Sequence, residues 1–138
     1  MENRVRKGVI VIVINKNNEY LLLKQARDNS YSFISGGMEP GENHIETAIR
    51  EAKEEAGITI DKNILIDTGE YIRFISGKGP GEQKVFLYDI NDIKITVDNN
   101  EVNGYSWKNA NDAQLLLENK PPLIKLIQIV SSEHKAHL

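Results

Sequence analysis

Between residues 8 and 25 the apolar positions come in two blocks separated by polar residues. GVIVIVI (8–14) is a continuous β-branched run, the pattern of a strand buried on both faces. NKNNE reads as a turn and YLLLKQ as the return strand, so the two blocks predict a hairpin. RDNSYSFISGG is loop-like, with YSFI a short extended piece. From about Asn43 to Ala56 the period becomes helical. Ile45, Ala48, Ile49, Ala52 and Ala56 fall on one narrow stripe, and Gly57 is a good C-terminal stop. The alanines on that stripe imply close approach to a sheet.

Downstream, NILIDTGEYIRFIS supplies one long or two short strands, SGKGPGE a turn, QKVFLYDI another strand and EVNGYSW a weaker one. NANDAQLLLEN and PPLIKLIQIVSS predict two closing helices, the second opened by proline. SSEHKAHL is expected to fray. No repeat, linker or low-complexity tract interrupts the pattern, so residues 1–138 read as one domain. Strands before, between and after the helices, without regular alternation, predict an α/β fold: a mixed sheet with helices on both faces.

Composition narrows the function. A chain of 138 residues, 40% hydrophobic and 27% charged, is an ordinary globular protein that buries roughly two-thirds of its unfolded surface. The net charge of −3 argues against bulk attraction to nucleic acid or anionic lipid, so an anionic ligand needs some other source of neutralisation. With no cysteine, thiolate chemistry, disulfides and cysteine-bound zinc are excluded. The apolar run after MENRVRK is too short for a signal peptide or a membrane span, and a cytoplasmic location is expected.

The helix from Asn43 carries Glu51, Glu54 and Glu55 within an arc of about 100°. Like charges so close repel by about 0.2–0.5 kcal/mol per pair, and convergent carboxylates suit a hard divalent cation such as magnesium. Such an ion offsets the repulsion and lets an acidic protein hold a polyphosphate. Ahead of the helix, Gly36, Gly37 and Gly41 permit positive φ and close backbone approach to a ligand. Glu42 is placed to reach Arg50 and lock this loop to the helix, with Arg50 itself on the exposed side and four residues from both Glu46 and Glu54. A merely solvated helix face accounts for neither the glycines nor the intervals.

Those intervals carry a resemblance. Gly36, five residues, Glu42, seven residues, then Arg50-Glu51-Ala52-Lys53-Glu54-Glu55-Ala56-Gly57-Ile58 resembles the signature of the Nudix hydrolases (MutT-like), G-x5-E-x7-R-E-U-x-E-E-x-G-U with U bulky and aliphatic. Only Ala52 is smaller than usual, and the box 36–58 spans 23 residues, about one sixth of the chain. The resemblance implies an α/β/α sandwich around a central mixed sheet and water attack on a nucleoside diphosphate linked to another group. It implies Mg²⁺, with Mn²⁺ as the alternative, held by Glu51, Glu54, Glu55 and a carbonyl near Gly36. Glu42, Arg50, Gly37 and Gly57 are then structural supports. Glu54 is the most convenient base inside the box. Glu101, six residues before Trp107, resembles a further catalytic glutamate of many relatives, with Asp98 a weaker rival. One departure stands out: Ile34-Ser35 replaces the proline-glycine that often precedes the box.

Lys24, Arg27, Lys84 and Arg73 are candidate phosphate or base contacts, and Tyr31 and Phe33 candidate stacking rings. Trp107 reads as core or rim. His44, His134 and His137 lack metal-ligand spacing and carry no assigned chemistry. GKGPG (77–81) reads either as a closing loop or as a hairpin tip. The preferred reading is a pyrophosphohydrolase of a (deoxy)nucleoside triphosphate, releasing NMP and pyrophosphate. A dinucleoside polyphosphate of the diadenosine tetraphosphate type is the alternative, since ETAIREAKEEAGI and QKVFLYDI resemble such enzymes too. A non-catalytic nucleotide-sensing module would be favoured by loss of the box carboxylates, which are intact. A helix-surface interaction protein would tolerate Glu51→Gln and Glu55→Gln. The expected partner is a small nucleotide, with a second copy of the chain left open and neither nucleic acid nor membrane expected.

Overall fold

Six consecutive residues, Val9 to Ile14, are 0–2% exposed, as suits a strand at the centre of a two-sided core. In the computed structural model, which describes residues 4–136, that strand is β1 (Arg6–Ile14). It runs parallel to β6 (Gly79–Asp89), from Arg6↔Gly81 to Ile14↔Asp89, and antiparallel to β4 (Ile34–Gly37). β5 (Leu65–Ser76) flanks β6 antiparallel as one long strand with a bulge between Asp67 and Tyr71. The sheet is therefore mixed, as the patterning predicts.

The expected hairpin holds only at its base. β2 (Tyr20–Gln25) meets β1 at Ile14↔Tyr20 and then diverges. The wedge is bridged by the following chain: β3 (Tyr31–Ser32) pairs with β2, and β4 pairs with β1. β7 (Val102–Lys108) lies on the other edge of β2. GKGPG is the tip of the β5–β6 hairpin, with Gly79 to Gly81 already in β6.

Alternation along β1 divides the core. Val9, Val11 and Val13 pack with Ala48, Ala52 and Ala56 of α1 (His44–Ala56). Ile10, Ile12 and Ile14 pack with Ala113 of α2 (Ala110–Leu116) and with Leu126, Ile127 and Val130 of α3 (Pro121–Ala136). Helices thus cover both faces, the expected α/β/α sandwich. The helix expected to end in a frayed SSEHKAHL instead continues to Ala136, while residues 1–3, 137 and 138, His137 among them, lie outside the described residues. Among the described residues no helix is long and apolar enough to cross a membrane.

α1 has the expected bounds because its ends are locally encoded. The Asn43 side chain accepts from the Glu46 N–H at 2.8 Å, Glu46 accepts from the Asn43 N–H at 3.0 Å, and Gly57 closes the helix at φ 69°. Its buried stripe differs from the expected one. Ile45 is 44% exposed and Ile49 only partly covered, whereas Thr47, Glu51 and Glu55 are buried beside the alanines. The helix is rolled so that its glutamates, not its isoleucines, face β4. Thr47 tolerates burial because its hydroxyl donates to Glu42 Oε1 and the Asn43 carbonyl, both at 3.0 Å.

Candidate active site

The site begins with two glycines on neighbouring strands. β4 pairs Gly36 with Val9 and Gly37 with Gly8, so Gly36 and Gly37 belong to a strand and not to the expected loop. Of the three glycines ahead of the helix, only Gly41 uses a positive φ, 85°. Gly36 matters for a different reason. A Cβ there would stand 2.2 Å from Glu51 Cδ, so the missing side chain is what lets the Glu51 carboxylate rest on the strand backbone. One strand over, a Cβ on Gly8 would lie 2.4 Å from the Gly36 carbonyl oxygen. The sequence reading overlooked Gly8; the only signal was a glycine opening a β-branched run. Gly37 has open space around it and contributes its carbonyl. At Gly57 the left-handed backbone and the nearby Thr96 both exclude a side chain.

Glu51 and Glu55 are 8% and 7% exposed, a carboxylate pair on the α1 face of the sheet. Burial, then a hydrogen bond and the charge of Glu51, push the Glu55 carboxyl up to about 10, against a 3.4 Å hydrogen bond from the Ser35 N–H. Glu55 thus holds a proton that it donates to Glu51. Glu101 is exposed in the turn before β7. Its carbonyl accepts from the Ala26 N–H at 2.9 Å, and its charge adds to the upward push on Glu55. Asp98, the rival, spends an oxygen on the Asn100 N–H at 2.9 Å. The Ile34-Ser35 departure has a simple account: Ile34 fills a fully buried core position opposite Val11, and Ser35 offers its backbone N–H.

Arg50 ties the site together, and it is drawn inward from its expected exposed position, with its side chain 21% exposed. Nε donates to Glu42 Oε2 at 2.7 Å, and Nη2 donates to Glu42 Oε1 at 3.0 Å and to the Gly37 carbonyl at 2.9 Å. Nη1 reaches Glu51 Oε1 at 2.7 Å and Glu54 Oε2 at 3.3 Å. Glu54 therefore stands at the exposed edge beside Arg50, while Glu46 serves the helix cap. Among the described residues no three acidic or imidazole groups close into a ready-made metal cage. Yet two buried carboxylates sharing a proton, a third within reach of the same arginine and a strand carbonyl beside them form a hard oxygen donor set, the chemistry that Mg²⁺ or Mn²⁺ prefers.

The bidentate Arg50 contact, helped by the Glu39 N–H and by Thr47, holds Glu42 down at about 2 from its ordinary 4.5. The sign follows directly: a depressed carboxylate stabilises the fold above 4.5 and loses that contribution as pH falls towards 2. Glu42→Gln is expected to flatten the acid limb of the melting temperature across that window. Thermal melts of both proteins from pH 2 to 6 check this, and equally steep limbs would refute it.

The substrate candidates scatter. Phe33 is 0% exposed in the core on the α2–α3 face, so it cannot stack on a base. Tyr31 packs partly buried against the same core, and Lys24 is partly buried beside it on β2. Lys84 is committed to Asp67 at 2.7 Å and lies over the Tyr71 ring, while Arg73 is paired with Glu82 at 3.0 Å. Arg27 is exposed, with only a loose 3.8 Å ion pair to Asp28, and lines a cleft of about 530 Å³ together with Gln25, Ala26, Asn100 and Glu101. Gln25 and Asn100 were not singled out in the sequence, where no motif marks them.

Residues 4–128 match the family model described as NUDIX domain. The chain belongs to the Nudix family. It is a Nudix pyrophosphohydrolase. It is 30% identical over 112 residues to the asymmetrical bis(5'-nucleosyl)-tetraphosphatase of Rattus norvegicus, covering 78% of this chain and 76% of the relative. A protein of Bacillus subtilis (strain 168) named for 8-oxo-dGTP diphosphatase activity is 32% identical over 101 residues, 73% of this chain and 64% of the relative. The binary complex of a C. elegans Ap4A hydrolase superposes with a TM-score of 0.80 at 24% identity, covering 96% and 99% of the two chains. A MutT protein from Methanosarcina mazei Go1 reaches 0.83 at 20%, covering 98% and 99%. These two structures share the Nudix fold.

Proposed function

We propose that this Nudix hydrolase splits a dinucleoside tetraphosphate asymmetrically, by water attack at phosphorus. The observation that carries the hydrolytic reading is the buried Glu51–Glu55 pair resting on Gly36 and bordered by Arg50 and Glu101. The choice of substrate is supported by the tetraphosphatase relatives, which match over more of their own length than the 8-oxo-dGTP diphosphatase does, 76% against 64%. That reverses the preference for a nucleoside triphosphate, which rested on a compact chain with little beyond the core fold. The triphosphate stays as the second reading, favoured by the Bacillus relative.

Glu51, Glu54, Glu55 and the Gly36 carbonyl are the groups that would hold Mg²⁺ or Mn²⁺. When bound, the ion supplies neutralising charge for the polyphosphate and acidifies water. Arg50 keeps Glu51 and the Gly37 carbonyl in place, which orients the donor set. Arg27 offers an exposed cation to the incoming phosphates across the cleft. Glu101, which no arginine holds in the way that Arg50 holds Glu54, accepts the proton of the attacking water on its carboxylate. The new P–O bond forms as the bond to the bridging oxygen breaks, and diadenosine tetraphosphate leaves as ATP and AMP.

Product analysis over a panel of diadenosine polyphosphates, nucleoside triphosphates, nucleotide sugars and ADP-ribose, with Mg²⁺ and with EDTA, tests this. Metal-dependent ATP plus AMP is the expected result. Pyrophosphate from triphosphates would move the assignment to the second reading, and binding without any turnover would leave a sensing module.

A further inference from the structure

We infer that Lys120 is a positioning residue for the substrate cleft, holding the turn between β2 and β3 so that Arg27 and Glu101 stand at fixed places relative to Glu55. The inference rests on the cleft roles proposed above for those two residues. Lys120 lies 90 positions from Ser30 in sequence, yet its Nζ donates to Ser30 Oγ at 3.1 Å and to the Tyr31 carbonyl at 2.7 Å. Its own backbone is pinned where α2 turns into α3. The Lys120 N–H donates to the Leu117 carbonyl at 2.7 Å, its carbonyl accepts from Leu123 at 2.9 Å, and Pro121 restricts it from the other side.

The turn it grips is tight and leads directly to the cleft. Gln25 N–H donates to the Ser30 carbonyl at 2.7 Å, Asn29 N–H donates to the Gln25 carbonyl at 2.8 Å, and Asn29 is left-handed at φ 61°. At the near end of the turn, Ala26 N–H donates to the Glu101 carbonyl. Hydrogen bonds from Lys120 to Ser30, from Gln25 to Ser30 and from Ala26 to Glu101, joined by the Gln25–Ala26 peptide link, therefore connect the helical layer to Glu101. Lys120 is partly buried, and burial, acting against the nearby Asp28, lowers its pKa; a flexible lysine would not be held there without its two acceptors.

The test is Lys120→Met, which keeps the aliphatic stem and removes the donors. Amide hydrogen exchange is expected to speed up about tenfold at Gln25 and Ala26 and to stay unchanged in β1 and β6. The kcat is expected to fall about tenfold, as for a catalytic group displaced by a fraction of an ångström. Ser30→Ala should act in the same direction, and the double variant should lose no more than Lys120→Met alone. Faster exchange throughout the sheet, selective exchange with unchanged kcat, or additive losses in the double variant would each overturn the inference. Glu101→Gln in parallel separates the two readings. Normal turnover there removes the base role from Glu101, whereas exchange at Gln25 and Ala26 reports on Lys120 alone.

Discussion

Glu55→Gln will reduce turnover by at least about 100-fold, since losing even an outer partner of such a site costs 10–100-fold, and will at the same time stabilise the metal-free protein at alkaline pH. The first effect follows from removing one of the two carboxylates on which the site is built. The second follows from its proton. Glu55 is pushed from 4.5 up to about 10 in the fold, chiefly by burial and by Glu51. Between those values the folded protein binds a proton that the unfolded chain releases. A raised carboxylate therefore makes stability fall as pH rises through that window, by no more than about 1.4 kcal/mol per pH unit for one proton. Glutamine keeps the neutral form's bonds, accepting from Ser35 and donating to Glu51, and has nothing to titrate. Melting temperatures of wild type and variant in EDTA from pH 5 to 9 should diverge, the variant being the flatter. Parallel curves would place the shared proton elsewhere, and full turnover would make the pair a structural one.

Gly36→Ala is expected to produce the second large effect, a turnover loss of about 100-fold or more with little loss of stability. The added methyl group would lie 2.2–2.6 Å from the Glu51 carboxyl atoms. Those atoms end a flexible side chain, so Glu51 can swing away and the fold survives. In doing so it leaves Glu55 and its seat over Gly36, and the donor set is broken. Gly8→Ala provides the contrast: its methyl group meets the Gly36 backbone oxygen at 2.4 Å, so a strand must move. That variant should lose stability as well, about 1–3 kcal/mol. Denaturant melts beside kinetic constants distinguish the two. If Gly36→Ala retains turnover, Glu51 does not need its seat on β4.

Much of the site was legible because it is local. Asn43 and Gly57 mark the ends of α1 through contacts no more than a few residues apart, and Glu42 reaches Arg50 across eight residues of one loop and helix. The chain also announces its central strand, because six β-branched residues in a row leave no polar face to present to water. The box intervals carried the family for the same reason, since the end of β4, the loop, α1 and its C-terminal stop hold every fixed position of the motif within 23 residues.

What periodicity missed was decided by partners distant in the chain. The roll of α1 exposes Ile45 and buries Glu55 because β4 stands beside it, and β4 is a strand only through pairing with β1. Phe33 and Tyr31, the candidate stacking rings, both pack against the core on the α2–α3 face because β3 and β4 bridge a wedge that no local pattern encodes. Gly8 and Lys120 act across 28 and 90 positions, measured to Gly36 and to Ser30. By itself the sequence determined the central strand, the capped helix and the chemistry of its carboxylates, all written in spacing and local hydrogen bonds. Only the tertiary structure decided which carboxylates are desolvated, which share a proton and which cations are tied to distant carboxylates, because burial and charge pairing depend on strands and helices that meet only after the chain has folded.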